Sequence, residues 1–313
     1  MPKISVIVPV YRVEEYIERC ARSLFEQTLD DIEFLFIDDC SPDRSISILL
    51  NVLEEYPKRR AQVTIHHMDQ NSGQAKVREW GIKHANGDYI IHCDSDDWVD
   101  CSMYQSMYEK AISDKADVVI SDYHEWDDKG FIQYRTGCTS LMPSKLQSDM
   151  MYVKSPWSLW NKLFRTEIYA KIKYFPSGNM GEDMLLCLQM IYYCKKVSHI
   201  AKGYYYYFQN PKSIVNNCSI ESTLSKYYQN NSNLLLLHKF YIENNSDKQL
   251  SKEFRWLQYF VKSILFIGDP RLRSIIKTAY PNIELFVIFD RNINVHIRFS
   301  CFKNYIKILL GLI

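Results

Sequence analysis

At 313 residues, 47% hydrophobic and 24% charged, the chain has enough apolar content to bury a substantial core and is neither disordered nor fibrous. Lys and Arg number 38 against 37 Asp and Glu, a formal charge of +1, so no global excess selects nucleic acid as a partner. None of the ten glycines stand two, four or five positions apart, which excludes the G-x-G-x-x-G, G-x-S-x-G and Walker A loops, and the absence of C-x-x-C and H-E-x-x-H leaves zinc without support.

Apolar runs at Ile4–Val10, Ile32–Ile37, Val63–Ile65, Tyr89–Ile91 and Val118–Ile120 alternate with amphipathic segments over the first 120 residues. This is a β-α-β-α pattern. Between the first two runs Ile17, Cys20, Ala21, Leu24 and Phe25 fall at three- and four-residue steps, on one face of a helix that covers a sheet. The expected fold class is α/β, a mixed, mainly parallel sheet with helices on both faces. From about residue 121 to 215 the pattern is mixed. It contains a hairpin-like Trp126–Gly130, an aromatic loop Trp157–Lys162, a helix from about Asp183 to Lys196 and an aromatic strand Tyr204–Phe208. Beyond about residue 220 glycine nearly vanishes and helical patterns such as Phe254–Ile267 dominate. The chain is therefore divided into one domain over 1–218, with halves 1–100 and 101–218, and a helical region over 219–313.

Nine cysteines, an odd number, and an N-terminus that runs straight into a strand-like stretch point to the cytoplasm and not to a secretory route. No stretch approaches the roughly 20 apolar residues that cross a bilayer. The last segment, Phe299–Ile313, carries Lys303 and Lys307 and no acid. It reads as a helix packed on its neighbours, a contact in a homodimer, or a peripheral contact with the inner face of an anionic membrane.

In an open parallel sheet the loops leaving the strands' carboxyl ends meet at a ligand crevice. Here those loops hold Pro9-Val10-Tyr11, then Asp38-Asp39-Cys40-Ser41-Pro42-Asp43, then Asp94-Ser95-Asp96-Asp97. Acidic side chains crowded at one crevice repel unless a cation neutralises them, which argues for Mg²⁺ or Mn²⁺ shared with a substrate diphosphate. A D-x-D motif elsewhere is often a mere surface loop; its place after a buried strand is what gives it weight here. Arg78, beyond Asn71-Ser72-Gly73, is a cationic donor for the same phosphates. Asp183, after Gly178 and Gly181 at a helix start, sits where backbone N–H groups favour its ionised form, either as a cap or as a base. Trp157, Trp160 and Tyr204–Tyr207 offer flat faces for sugars or for core packing, and Asn161 and Lys162 place polar donors beside Trp160 on the acceptor side.

Taken in order, these stretches resemble an inverting family 2 glycosyltransferase of the GT-A fold. The matching runs are Val6–Tyr11, Glu15-Tyr16-Ile17, Ser23–Thr28, Ile37–Asp43, Asn71-Ser72-Gly73 and Gly87–Ile90 leading into Asp94–Asp97, with Trp160–Phe164 and Gly181-Glu182-Asp183 extending the likeness to about residue 215. The resemblance implies that Pro9, Tyr11 and Asp39 hold the nucleotide, Asp39 accepting from a base that is most simply uracil. It further implies that Asp94 faces the sugar or ribose, that Asp96 is the main metal contact, that Arg78 serves the nucleotide-sugar, and that Asp183 is the catalytic base with Glu182 beside it on the acceptor side. Two departures stand out: Val77-Arg78-Glu79 where the family commonly reads A-R-N, and Cys40 where its DDGS-type turn has glycine. The implied reaction carries a hexosyl or N-acetylhexosaminyl group from a UDP-sugar to a saccharide or lipid-linked saccharide in surface polysaccharide synthesis, with no nucleic acid involved. A nucleotidyltransferase and a non-catalytic nucleotide-sugar binding module are the competing readings.

Overall fold

In a computed structural model the chain is described over residues 1–211 and 217–310. Its first half runs β1 (Ile4–Val10), α1 (Ile17–Phe25), β2 (Ile32–Asp38), α2 (Ser45–Glu54), β3 (Val63–His67), α3 (Gln74–His84) and β4 (Tyr89–His92). The four strands lie side by side and parallel in the order β3-β2-β1-β4. All five apolar residues expected on the inner face of α1 are buried, and β4 is buried throughout because both faces of the sheet are covered.

The second half supplies β5 (Trp98–Val99), α4 (Met103–Asp114), β6 (Val118–Asp127), β7 (Gly130–Arg135), α5 (Pro143–Met151), β8 (Lys162–Arg165), α6 (Thr166–Tyr169), α7 (Glu182–Tyr193) and β9 (Val197–Phe208). β8 is the seam between the halves: it runs antiparallel to β4 on one side and to β6 on the other. Among the described residues the sheet has nine strands, continuing from β4 through β8, β6 and β9 to β5, with β7 paired to β6. The mainly parallel, mixed α/β sheet expected from the sequence is thus observed.

Two local expectations are corrected. The Trp157–Lys162 loop gives way to strand one residue early, since Lys162 opens β8. The helix expected to reach Lys196 stops at Tyr193, because the Asp117 carboxylate accepts from the backbone N–H groups of Lys195 (2.7 Å) and Lys196 (2.9 Å) and turns the chain into β9.

The remaining elements are α8 (Ile220–Glu243), α9 (Ser251–Ser263), α10 (Arg273–Thr278), α11 (Ile283–Phe289) and α12 (Val295–Leu309). α8 and part of α9 share the sheet's core, while Trp256, Tyr259, Ile283, Val287, Ile293 and Cys301 form a second, smaller cluster with Tyr152. One continuous apolar cluster runs from Ile7 and Val77 through Leu185 and Ile191 into Leu237, Phe240 and Leu257. The division expected at 218/219 was drawn from composition, and residues 212–216 next to it lie outside the described residues. No helix among the described residues is long and apolar enough to cross a membrane.

α11 is tied to α9 by an ion pair between Lys262 and Glu284, 2.8 Å apart with both side chains 1% exposed. Removing one partner strands a buried charge, whereas removing both does not. Lys262→Met is expected to cost about 3–5 kcal/mol in urea unfolding, and Lys262→Met/Glu284→Leu to restore most of that loss. Equal stability of the single variant and the parent would contradict a buried ion pair.

Candidate active site

The chain builds β1, β2 and β3 outward in one direction, then returns to place β4 on the other side of β1. The loops after β1, β2 and β4 diverge at this reversal and leave a crevice between them. Pro9 sits near the end of β1 without breaking the ladder. The Cys93 N–H donates to the Ile7 carbonyl, so β1 residues of that parity face β4, and β4 pairing ends at His92 opposite Ile7. Pro9, two residues on, faces a side where no ladder bond is required of it. Tyr11 follows, exposed over the crevice.

The loop after β2 is held by its own carboxylates. Asp43 accepts from Ser41 Oγ and Ser45 Oγ, both at 2.6 Å, and from the Glu14 N–H at 3.1 Å, fastening the β1 loop to the β2 loop. Cys40 takes the left-handed conformation, φ 56°, that glycine would adopt without strain. The departure from the usual turn is therefore absorbed by the backbone, with the Cys40 thiol directed to the Met68 carbonyl. Asp39 is buried, and its two oxygens accept from the N–H groups of Ser72 (2.7 Å) and Gly73 (2.8 Å). Gly73 has φ 84°, and a Cβ there would run into the Asn179 side chain, so only glycine lets the loop before α3 pass between Asp39 and the loop before α7.

After β4 the three acids diverge. Asp97 is fully buried and structural: it accepts from Tyr205 Oη (2.6 Å) and the Phe208 N–H (2.7 Å), pinning β9 to the loop. Asp96 accepts from Asn210 Nδ2 at 3.0 Å, and burial together with the charge of Asp94 raises its pKa. A divalent cation at Asp96 would offset both effects. Among the described residues no three His, Cys, Asp or Glu side chains are arranged to enclose a metal, so a hard cation here would complete its shell with phosphate oxygens and water. The carboxylates present fit an ion of that kind.

Asp94 is joined to the remote helix α7 through Arg78. The guanidinium, 1% exposed, donates from Nη2 to Asp94 (2.8 Å) and from Nη1 to Glu182 (2.9 Å) and Asp183. Expected as a phosphate contact, Arg78 gives both Nη1 hydrogens to Glu182 and Asp183 and one Nη2 hydrogen to Asp94. The carboxylate of Asp183 keeps 27% of its side chain exposed and that of Asp94 23%, so the crevice side of this cluster is open while its cationic centre is enclosed. Asp183 is not a cap: Gly181, at φ 75°, holds the N-cap position, and Asp183 lies one residue inside the helix after Glu182. Burial, then the adjacent Asp183, push the Glu182 carboxyl up to about 8 against the pull of Arg78. Burial also raises Asp183, with Arg78 and Lys162 drawing it back and Asp94 adding to the rise.

Trp160, Asn161 and Lys162 are enclosed. Trp160 stacks on Tyr205 at 4.2 Å between ring centres, with Tyr207 beyond it at 5.7 Å. Lys162 Nζ donates to the carbonyls of Pro156 (3.0 Å) and Ser158 (2.8 Å) and to Asn161 Oδ1 (2.8 Å), which uses all three of its hydrogens. Asn161 Nδ2 is taken by the Ser121 carbonyl at 2.9 Å. These polar groups brace the wall behind the site, and Tyr207 is the exposed ring of the set.

Four residues that sequence reasoning passed over hold the loop carrying Glu182 and Asp183. Asn179 Oδ1 accepts from the Ala75 N–H at the start of α3 (3.2 Å). From α8, Gln229 Oε1 accepts from the Met180 N–H (3.1 Å) and Asn233 Nδ2 donates to the Met180 carbonyl (2.9 Å), while Asn230 lies against Gly181. For the three on α8 the one available signal was four amides, Gln229, Asn230, Asn231 and Asn233, within five positions of a helix that otherwise faces a core.

Residues 5–180 match the sequence model described as Glycosyl transferase family 2. The chain belongs to that family. It is 31% identical over 248 residues to the "Uncharacterized glycosyltransferase EpsJ" of Bacillus subtilis, covering 73% of this chain and 68% of that one. The crystal structure of S. aureus TarS 1–349 in complex with UDP-GlcNAc superposes with a TM-score of 0.61 at 18% identity, over 98% of this chain and 90% of that one. The mannosyltransferase PcManGT from Pyrobaculum calidifontis, in complex with GDP-Man and Mn²⁺, does so at 0.54 and 13% identity, over 98% and 87%. At such identities the two structures speak for the fold, which is GT-A, and the chain is a glycosyltransferase by its family.

The α8 contacts make a prediction. Asn233→Ala frees the Met180 carbonyl and loosens the loop that delivers Asp183, so kcat is expected to fall about 10- to 100-fold with the affinity for UDP unchanged. A variant with parental kcat would remove α8 from the positioning of the site.

Proposed function

We propose that this family 2 enzyme is a metal-dependent inverting glycosyltransferase that moves a sugar from a UDP-linked donor to a saccharide or lipid-linked saccharide acceptor in surface polysaccharide synthesis. The observation that carries the reading is the Arg78 bridge, which holds the donor-side carboxylate Asp94 and the acid pair Glu182-Asp183 around one cation.

Pro9, Tyr11 and Asp39 line the nucleotide end, and each Asp39 oxygen, already accepting one N–H, keeps a second lone pair for the N–H of a uracil. Asp96 is the protein's ligand to Mn²⁺ or Mg²⁺, which supplies electrostatic stabilisation to the departing diphosphate when bound. Asp94 faces the donor's sugar. Asp183 takes the proton of an acceptor hydroxyl as that oxygen forms a bond to the anomeric carbon from the face opposite the leaving UDP. The bond to the diphosphate breaks with its electron pair, and the configuration inverts. Burial and the neighbouring Asp183 push Glu182 up to about 8, which disfavours its ionised form and leaves the role of base to Asp183. Arg78 is assigned to positioning rather than to phosphate contact, and Trp160, Asn161 and Lys162 to the wall behind Tyr207. The enzyme is placed in the cytoplasm, where UDP-sugars are available as donors. Of the two partners expected for its C-terminal helices, a membrane surface fits the exposed charges better than a second copy of the chain.

Asp183→Asn is expected to lower turnover about 100- to 10,000-fold while UDP binding in the presence of Mn²⁺ is retained. Parental turnover would exclude Asp183 as the base. Release of pyrophosphate from a nucleoside triphosphate, in place of free UDP from a UDP-sugar, would assign the site to nucleotidyl transfer.

The pH profile offers a separate check. A base must be ionised, so kcat/KM falls as pH drops through the Asp183 pKa, and because that pKa is raised the acid limb lies above the ordinary carboxylate range. Glu182 is already held toward its neutral form in that range, so Glu182→Gln is expected to leave the limb where it is. A profile flat down to the usual aspartate range would contradict the assignment.

A further inference from the structure

α12 packs inward through Cys301, which is fully buried and directs its thiol to the Glu284 carbonyl of α11. On its outer side Val295, Phe299, Phe302, Ile306 and Leu309 recur at steps of four, three, four and three residues, which keeps them in one narrow stripe along the helix. All five are exposed, from 37% for Ile306 to 63% for Leu309. A helix that joins the fold by one face has no use for a second apolar stripe facing solvent, and a contiguous stripe of this length marks an interaction surface.

The charges beside the stripe are of one sign. At 3.6 residues per turn, Lys303 and Lys307 fall on one flank and Arg298 on the other. The Lys303 ammonium lies 4.7 Å from the Phe299 ring centre, its stem laid along the apolar surface and its charge at the rim. From Arg291 to Ile313 the sequence contains no Asp or Glu to neutralise them; residues 311–313 lie outside the described residues.

We propose that the outer face of α12 seats the enzyme on an anionic lipid surface, with the five-residue stripe at the boundary of headgroups and acyl chains and the three cations at the level of the lipid phosphates. A second copy of the chain is the poorer occupant. A twofold contact through this stripe sets either the lysine flanks against each other or lysine against arginine, cation facing cation in both arrangements. The proposal takes from the proposed function only that a lipid-linked acceptor lies at a membrane, and its test does not involve transfer.

The full chain is mixed with vesicles of phosphatidylcholine alone or of phosphatidylcholine with phosphatidylglycerol, at low and high salt, and sedimented. The parent is expected to pellet with the anionic vesicles, less so at high salt, and to stay in the supernatant with phosphatidylcholine alone. Phe299→Ser/Phe302→Ser and Lys303→Glu/Lys307→Glu, all at exposed positions, are each expected to lower the partition constant at least about tenfold with the circular dichroism and UDP binding of the parent. A parent that does not pellet with anionic vesicles overturns the proposal, as do two variants that bind like the parent. A stable dimer in solution that the Phe299/Phe302 variant dissociates, without vesicle binding by the parent, gives the face to a second copy. Loss of UDP binding with vesicle binding intact would count against the functional reading and leave the surface standing.

Discussion

A single buried guanidinium organises this site. Three carboxylates drawn together beside a crevice repel one another and suffer the loss of water, both of which disfavour their ionised forms. Arg78 opposes that tendency because its planar fork offers nitrogens to Asp94 on one side and to Glu182 and Asp183 on the other. It thereby fixes the distance between the donor-side loop after β4 and the N-terminus of α7, two segments about 90 residues apart in the chain. Burial raises both members of the pair: Glu182 is the deeper, while Asp183 keeps part of its side chain exposed and has a second cation, Lys162, near by.

The donor half was legible because its chemistry is local. Strand ends at Val10, Asp38 and His92 deliver Tyr11, Asp39 and Asp94 by the topology of a parallel sheet alone, and that topology follows from apolar runs spaced by amphipathic helices. Even the unusual Cys40 left the carboxylates in place, since its cost is confined to one backbone torsion. What the sequence did not disclose was which polar residues face the crevice and which face away. Trp160, Asn161 and Lys162 look like an acceptor patch in one dimension, yet the stacking of Trp160 on Tyr205 and the three bonds of Lys162 turn them inward. Arg78 poses the same difficulty: its partners Glu182 and Asp183 are more than 100 residues away, and no spacing rule links them.

The C-terminal helices illustrate a second limit. Their composition marks a change of architecture near residue 220, but not that α8 shares the sheet's core or that Gln229, Asn230 and Asn233 grip the loop before α7. The helical region thus braces, through its inner face, the loop that carries Glu182 and Asp183, while the outer face of α12 stays exposed. Family membership covers the segment up to Gly181 minus one residue and so reaches the loop, though not the helix that steadies it.

The most direct measurement separates positioning from substrate contact at Arg78, by steady-state kinetics and UDP titration of Arg78→Lys. A lysine keeps the charge but cannot reach both sides of the cluster, so the account predicts a fall in kcat of about 100-fold with the dissociation constant of UDP nearly unchanged. A variant that turns over at the parental rate and binds UDP more weakly would show instead that Arg78 is a ligand of the donor phosphates, and the bridge would lose its place at the centre of the mechanism.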